Sequence, residues 1–283
     1  MNTSNTRGTT ATDLYLALLK GCLTRSLFLD EQRREAQLSG WHALVWNAYK
    51  RASRDRDWRI VERAPVSARD RAEGRDWPQN GETMIGDARL DNIQWCVTSV
   101  LEDDVPGDLI EAGVWRGGAA ILMRAVLAAN GVSDRDVWLA DSFQGLPAPN
   151  LDKYPSDEGL DLSGIPALAV GVEQVKANFA RYDLLDEQVR FLVGWFKDTL
   201  PTVPVAQLAL VRLDGDLYES TIDAITALYP KLSVGGYLIV DDYNAPGWDR
   251  ACGQAIRDYR EQHDITEPIQ EIDWTGVYWR RER

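Results

Sequence analysis

Asp214-Gly215-Asp216 follows the apolar run LALVRL, and Asp241-Asp242 follows GYLIV, so four carboxylates stand at the ends of two consecutive strand-like segments. Carboxylates brought together repel unless raised pKa values or a cation relieve them. Only two histidines occur, and the three cysteines Cys22, Cys96 and Cys252 are widely spaced, so a metal site must be built from oxygen. A hard cation such as Mg²⁺ suits that donor set, because it takes a few carboxylates and keeps positions open for water and substrate. The D-G-D triplet also fits the D-x-D grip of a metal-dependent glycosyltransferase on a nucleotide sugar, or the D-x-D nucleophile of a haloacid-dehalogenase-type phosphatase. The structural alternative for each aspartate is a helix cap.

A second constellation lies upstream. In DLIEAGVWRGGAA, a strand-like run leads into Glu111, Gly113 and Gly117 with the spacing E-x-G-x-x-x-G. Glycines there let the backbone turn tightly and approach a ligand where a helix begins. Thirty residues after Glu111, the next apolar run ends in Asp141, a placement that lets a carboxylate accept hydrogen bonds from a ribose diol. The glycosyltransferase and phosphatase readings account for neither feature. The phosphatase pattern also expects its first aspartate on the first strand and Gly-Thr after the second, whereas Leu217 and Tyr218 follow Asp216.

Elements able to position these groups alternate along the chain. Short apolar runs at 108–115, 137–143, 189–196, 208–216 and 236–243 are separated by helix-like stretches near 118–130, 168–182, 219–232 and 248–262, with another helix near 88–102. Strands alternating with helices predict a parallel sheet covered on both faces, whose ligands gather outside the carboxyl ends of the strands. Residues 268–281 read as a terminal antiparallel hairpin. Residues 1–82 read as a helical arm and connector, with Thr12 or Asp13 capping the first helix, and 83–283 as the main domain.

Composition narrows the function. Apolar residues make up 45% and charged residues 27%, ordinary for a folded globular chain, and the net charge of −13 opposes binding to a phosphate backbone. No apolar stretch reaches the roughly 18 residues of a membrane span, and MNTSNTRGTTATD lacks a charged-then-apolar leader pattern, which predicts a cytoplasmic protein without membrane partners.

Five motifs in order, DWPQNGETMIGDARLDN (76–92), IEAGVWRGGAA (110–120), LADSFQGLP (139–147), RLDGDLYEST (212–221) and YPKLSVGGYLIVDDY (229–243), resemble the Mg²⁺-dependent sugar O-methyltransferases of antibiotic biosynthesis, the macrocin, mycinamicin and novobiocin group. The resemblance covers about 76–262. It implies a doubly wound, mostly parallel seven-stranded Rossmann-like sheet, and S-adenosylmethionine as methyl donor to a glycosylated small-molecule acceptor. Carried over by motif, Glu111, Gly113, Gly117 and Asp141 would contact the donor. Thr83, Met84 and Ile85 would line its methionine end, and Ser142 and Trp195 its adenosine end. Asp214, Asp241 and Asp242 would hold Mg²⁺. Related catechol-type enzymes carry a lysine base after this strand; Leu217 stands there, which promotes Asp216 as the base. The aromatics Trp41, Trp46, Tyr49 and Trp58 and the loop at 145–167 are read as a lid over the acceptor or a contact with a second subunit, with a homodimer expected.

Overall fold

A computed structural model describes residues 10–283 apart from 32, 54–57, 59 and 64–65. In chain order the elements are α1 (Ala11–Leu23), β1 (Arg33–Glu35), α2 (Gly40–Ala52), β2 (Val61–Arg63), α3 (Ala68–Ala72), α4 (Gly86–Glu102), β3 (Asp108–Ala112), α5 (Gly118–Ala129), β4 (Val137–Asp141), α6 (Val172–Arg181), β5 (Val189–Val193), α7 (Phe196–Thr199), β6 (Leu208–Leu213), α8 (Tyr218–Leu228), β7 (Leu232–Val240), α9 (Cys252–Gln262), β8 (Gln270–Glu271) and β9 (Val277–Arg280).

The central sheet has seven strands in the order β5-β4-β3-β6-β7-β9-β8. β3 to β7 run parallel, and the terminal hairpin adds β9 antiparallel to β7 with β8 outside it. This is the mostly parallel, seven-stranded Rossmann-like sheet with a C-terminal antiparallel hairpin that the resemblance implies. The fully buried pattern of β6, LALVRL, follows from its central position, where both faces are covered. One face buries α4, α5 and α6 residues such as Ile93, Val97, Ile121, Val126 and Phe179. The other buries Ala224, Ile225, Leu228, Ile256 and Tyr259 of α8 and α9. Strand order reverses about β3 and β6, which opens a crevice at their carboxyl ends.

The first 82 residues divide differently from a simple arm. Leu16, Leu19 and Leu23 of α1 are buried in the main core, so α1 belongs to the body of the molecule. Its cap is Thr10, two residues before the nearer of the expected pair, in a reciprocal capping box with Asp13. By contrast α2 buries none of its side chains, leaving Trp41, Leu44, Val45 and Tyr49 exposed. A short antiparallel pair, β1 with β2, lies on either side of α2 in the chain; its three-residue strands carry too little apolar alternation to be read from sequence. Among the described residues no helix is long and apolar enough to cross a membrane.

Candidate active site

The ladder of the sheet runs on past the strand ends and sets the spacing of the functional groups. Gly113 donates to the Ala140 carbonyl (2.9 Å), Asp214 to that of Ala112 (2.8 Å) and Asp241 to that of Leu213 (3.0 Å). Asp141, Asp214 and Asp241 therefore leave the sheet side by side around Gly113. A glycine is required at that point: its φ is +90°, and a Cβ would lie 1.9 Å from the Asp214 carbonyl oxygen.

A cavity of about 640 Å³ opens over these strand ends. Thr83, Met84, Ile85, Glu111, Gly113, Asp141, Ser142, Trp195, Asp214, Asp216, Asp241 and Asp242 all line it. Gly117 does not; at φ +87° it precedes α5, and a Cβ there would meet Val175 and Phe179 of α6. The glycine that admits the lining is its neighbour Gly118, whose amide donates to the Glu82 carbonyl (3.0 Å) and where a Cβ would strike Glu82 and Thr83. Arg116 holds the same connector: one of its terminal nitrogens donates to the carbonyls of Pro78, Gln79 and Gly81. Asp141 accepts from the amides of Val114 (2.8 Å) and Phe143 (2.7 Å), which fixes the carboxylate at the mouth. Burial raises its pKa against the pull of those amides.

Two buried arginines run beneath the carboxylates. Arg212 donates to Glu111 (2.6 Å), to Asp214 (2.9 Å) and to Asp241, and Arg89 of α4 donates to Asp241 and to Asp273 (2.9 Å). Both oxygens of Asp241 thus face guanidinium groups. Burial opposes the charge of Asp241, yet Arg212 and Arg89 hold its carboxyl below the usual range. The set whose oxygens converge is Asp214, Asp216 and Asp242, with ligand atoms within 4.8 Å of one another. The set expected from sequence paired Asp214 with Asp241 and Asp242, so Asp214 and Asp242 are common to both.

Charge in this set is poorly compensated. Burial and the neighbouring charges of Asp214 and Asp241 push the Asp216 carboxyl up to about 8. Asp242 is raised well above its ordinary value by burial and by Asp216 and Asp214. One oxygen of Asp242, Oδ2, is buried and has no hydrogen-bond partner among the described residues. Converging oxygen donors, one of them unsatisfied, fit a hard divalent cation. Asp216 sits at φ +57° and accepts from the indole N–H of Trp248 (3.1 Å). Sequence reasoning passed over Arg89, Arg212 and Trp248. The signal for Arg212 was an arginine inside an otherwise apolar central strand, a position tolerated only with buried acidic partners.

A family model described as macrocin O-methyltransferase (TylF) matches residues 12–281. The chain belongs to the macrocin O-methyltransferase family. It is 49% identical over 273 residues to an 8-demethyl-8-(2,3-dimethoxy-alpha-L-rhamnosyl)-tetracenomycin-C 4'-O-methyltransferase of Streptomyces olivaceus, covering 95% of this chain and 93% of the relative. It is 58% identical over 214 residues to a demethyldecarbamoylnovobiocin O-methyltransferase of Streptomyces niveus, covering 75% and 80%. The solved structure of the O-methyltransferase NovP matches with a TM-score of 0.81 at 48% identity, over 96% of this chain and all of that one. As a macrocin-type enzyme the protein is an O-methyltransferase, and the D-x-D glycosyltransferase reading has no support.

Proposed function

We propose that this enzyme moves the methyl group of S-adenosylmethionine to a sugar hydroxyl of a glycosylated natural product, assisted by Mg²⁺. The observation that carries the reading is the convergence of Asp214, Asp216 and Asp242, with the unpaired Asp242 oxygen, beside the Glu111 and Asp141 lining of one cavity in an O-methyltransferase. The relatives named for methylation of a rhamnosyl tetracenomycin and of a novobiocin precursor support a glycosylated acceptor.

Asp214 and Asp242 would hold the cation, with Asp241 completing the carboxylate side and Asp216 beside them. Each carboxylate oxygen has two acceptor sites, so Asp241 can serve a cation while keeping its arginines. Bound there, Mg²⁺ would lower the pKa of a coordinated hydroxyl. Asp216 accepts the proton of the acceptor hydroxyl at a carboxylate oxygen, and Trp248 orients it through the other. Asp141 offers a carboxylate to a ribose diol, and Thr83, Met84 and Ile85 enclose the opposite end of the donor. Trp77, Trp248 and Trp274, which also line the cavity, exclude water and hold the acceptor's apolar surface. An acidic crevice favours a cationic sulfonium over the neutral product.

Calorimetry with S-adenosylhomocysteine tests the cofactor: absence of binding sinks the reading. Asp214→Ala, or a chelator, should abolish methylation of a desmethyl glycoside while S-adenosylhomocysteine binding is largely kept. Full turnover without divalent cations would remove Mg²⁺ from the mechanism.

A further inference from the structure

Residues 142–171, between β4 and α6, contain only two single-turn 3-10 helices. An irregular connection of such length is long for an α/β domain and is expected to carry function. Its two limbs flank the cavity: Leu146, Pro147 and Ala148 line it on the way out, and Leu162, Ile165 and Leu168 on the way back. The returning limb is tied at its base, where the Trp115 indole donates to the Ala167 carbonyl (2.8 Å).

The turn between the limbs is fastened elsewhere. Asp157 is fully buried, although Glu158 and Gly159 beside it are exposed. Its Oδ1 accepts from the amide of Tyr218 (2.6 Å) and its Oδ2 from that of Glu219 (3.4 Å). Those amides begin α8, a helix of 11 residues whose own cap position is Leu217, a residue unable to cap. The cap therefore comes from about 60 positions away. Leu160 packs with Leu217 and Ala251, the Tyr154 ring lies 5.4 Å from that of Tyr218, and Arg250 donates to the Glu158 carbonyl (2.9 Å). The capped residue is two beyond Asp216, which stands in the left-handed region and has to be held there by its surroundings.

We propose that Asp157 is a positioning residue that caps α8 from across the cavity, strapping residues 142–171 over the site and fixing the chain that presents Asp216 to the acceptor. Within the strap, Lys153 is exposed and reports release as a tryptic cut. The strap itself stands on geometry alone; only its effect on turnover rests on the function proposed above.

Full-length Asp157→Leu and Asp157→Asn are compared with the parent enzyme well below its melting transition. Loss of a cap opens the local equilibrium by roughly tenfold, so trypsin should cut Asp157→Leu after Lys153 about tenfold faster than the parent, as mapped by mass spectrometry. Misplacement of Asp216 should lower kcat/KM for the acceptor about tenfold or more, with affinity for S-adenosylhomocysteine within about threefold. Asp157→Asn keeps an acceptor for the Tyr218 amide and should recover most of both losses. Unchanged cleavage in Asp157→Leu, or a parent cut equally fast, overturns the strap. Faster cleavage with unchanged kcat/KM overturns the positioning role and leaves a cap for stability alone. Should Asp157→Leu fail to fold, Leu160→Ala withdraws the apolar half of the fastening and is read in the same two assays. A parent that fails to bind S-adenosylhomocysteine refutes the proposed function, while the cleavage rates still decide the strap.

Discussion

Replacing Arg212 with Met removes the guanidinium that Glu111, Asp214 and Asp241 share and leaves an unbranched apolar chain in its space. Asp241 retains Arg89, and Asp214 borders the cavity, but Glu111 is bonded to no other side chain among the described residues and is 2% exposed. Breaking a buried ion pair from one side costs about 3–5 kcal/mol, because the remaining charge has neither solvent nor partner. At roughly 2–4 °C per kcal/mol for a large domain, the melting temperature should fall by about 6–20 °C. The loss should depend on pH. Burial already pushes the Glu111 carboxyl from 4.5 up to about 8 with Arg212 beside it, and removal of the cation moves it further up. A carboxyl whose folded pKa lies above its unfolded value contributes its full stability below the unfolded value and loses it as pH rises through the folded one. Parent and variant lose this contribution alike up to the parent's folded value, so the deficit of Arg212→Met should be smallest near about pH 6 and grow from about pH 8 towards about pH 9.5. Urea unfolding followed by tryptophan fluorescence at both ends of that range measures it. A deficit under about 1 kcal/mol at the higher pH, or one that is larger at the lower pH, would refute the assignment of Arg212 as the counter-charge of the crevice.

Two further outcomes follow from the same geometry. The raised carboxyls of Asp216 and Asp242 mean that the metal-free protein loses stability as pH rises towards 8; a divalent cation favours the ionised forms, so MgCl₂ should stabilise the fold more at about pH 8 than at about pH 5.5, by up to about 2.7 kcal/mol at a hundred times Kd, and raise the melting point accordingly. Scanning fluorimetry against a chelator checks this, and no stabilisation at either pH would count against the carboxylate set. Gly113→Ala introduces a Cβ against the Asp214 backbone at a positive φ, and strain and overpacking together should cost more than about 3 kcal/mol in chemical denaturation; a change under about 1 kcal/mol would show that the two strand ends are not locked together.

The fold was legible because β3, β4, β6 and β7 are short apolar runs bounded by glycine and aspartate, and the 3.6-residue period between them marks the covering helices. Every carboxylate at a strand end could be located from that pattern alone. Which carboxylate meets a guanidinium was not legible, since Arg89 lies about 150 residues before Asp241 and only the packing of α4 against β6 and β7 joins them. The α1 cap was misplaced by two or three residues because Thr10, Thr12 and Asp13 are all capping types in one polar run. The burial of α1 was missed for another reason: Leu16, Leu19 and Leu23 mark an apolar face but do not say whether it docks on the body or leaves it. Asp157 carried no signal at all. An aspartate in a loop is ordinary, and its partner is a backbone amide whose need for a cap comes from Leu217, far along the chain.

Asp141, Gly113, Asp214 and Asp241 are carried by strand ends whose mutual spacing is fixed by the ladder, and α5, α7 and α8 add Gly118, Lys197 and Glu219 to the wall, whereas Trp77, Leu146 to Ala148, Leu162, Pro246, Trp248 and Trp274 come from irregular pieces. Reactive machinery and recognition surface are thus separable parts of the chain. With residues 142–171 fastened to α8 as proposed, a wall segment taken from another family member is expected to leave the spacing of Asp141, Asp214 and Asp241 unchanged, and to keep Asp216 in place when it brings its own fastening with it. For anyone seeking new methylation patterns on glycosylated compounds, the unit to transplant is the loop together with its anchor.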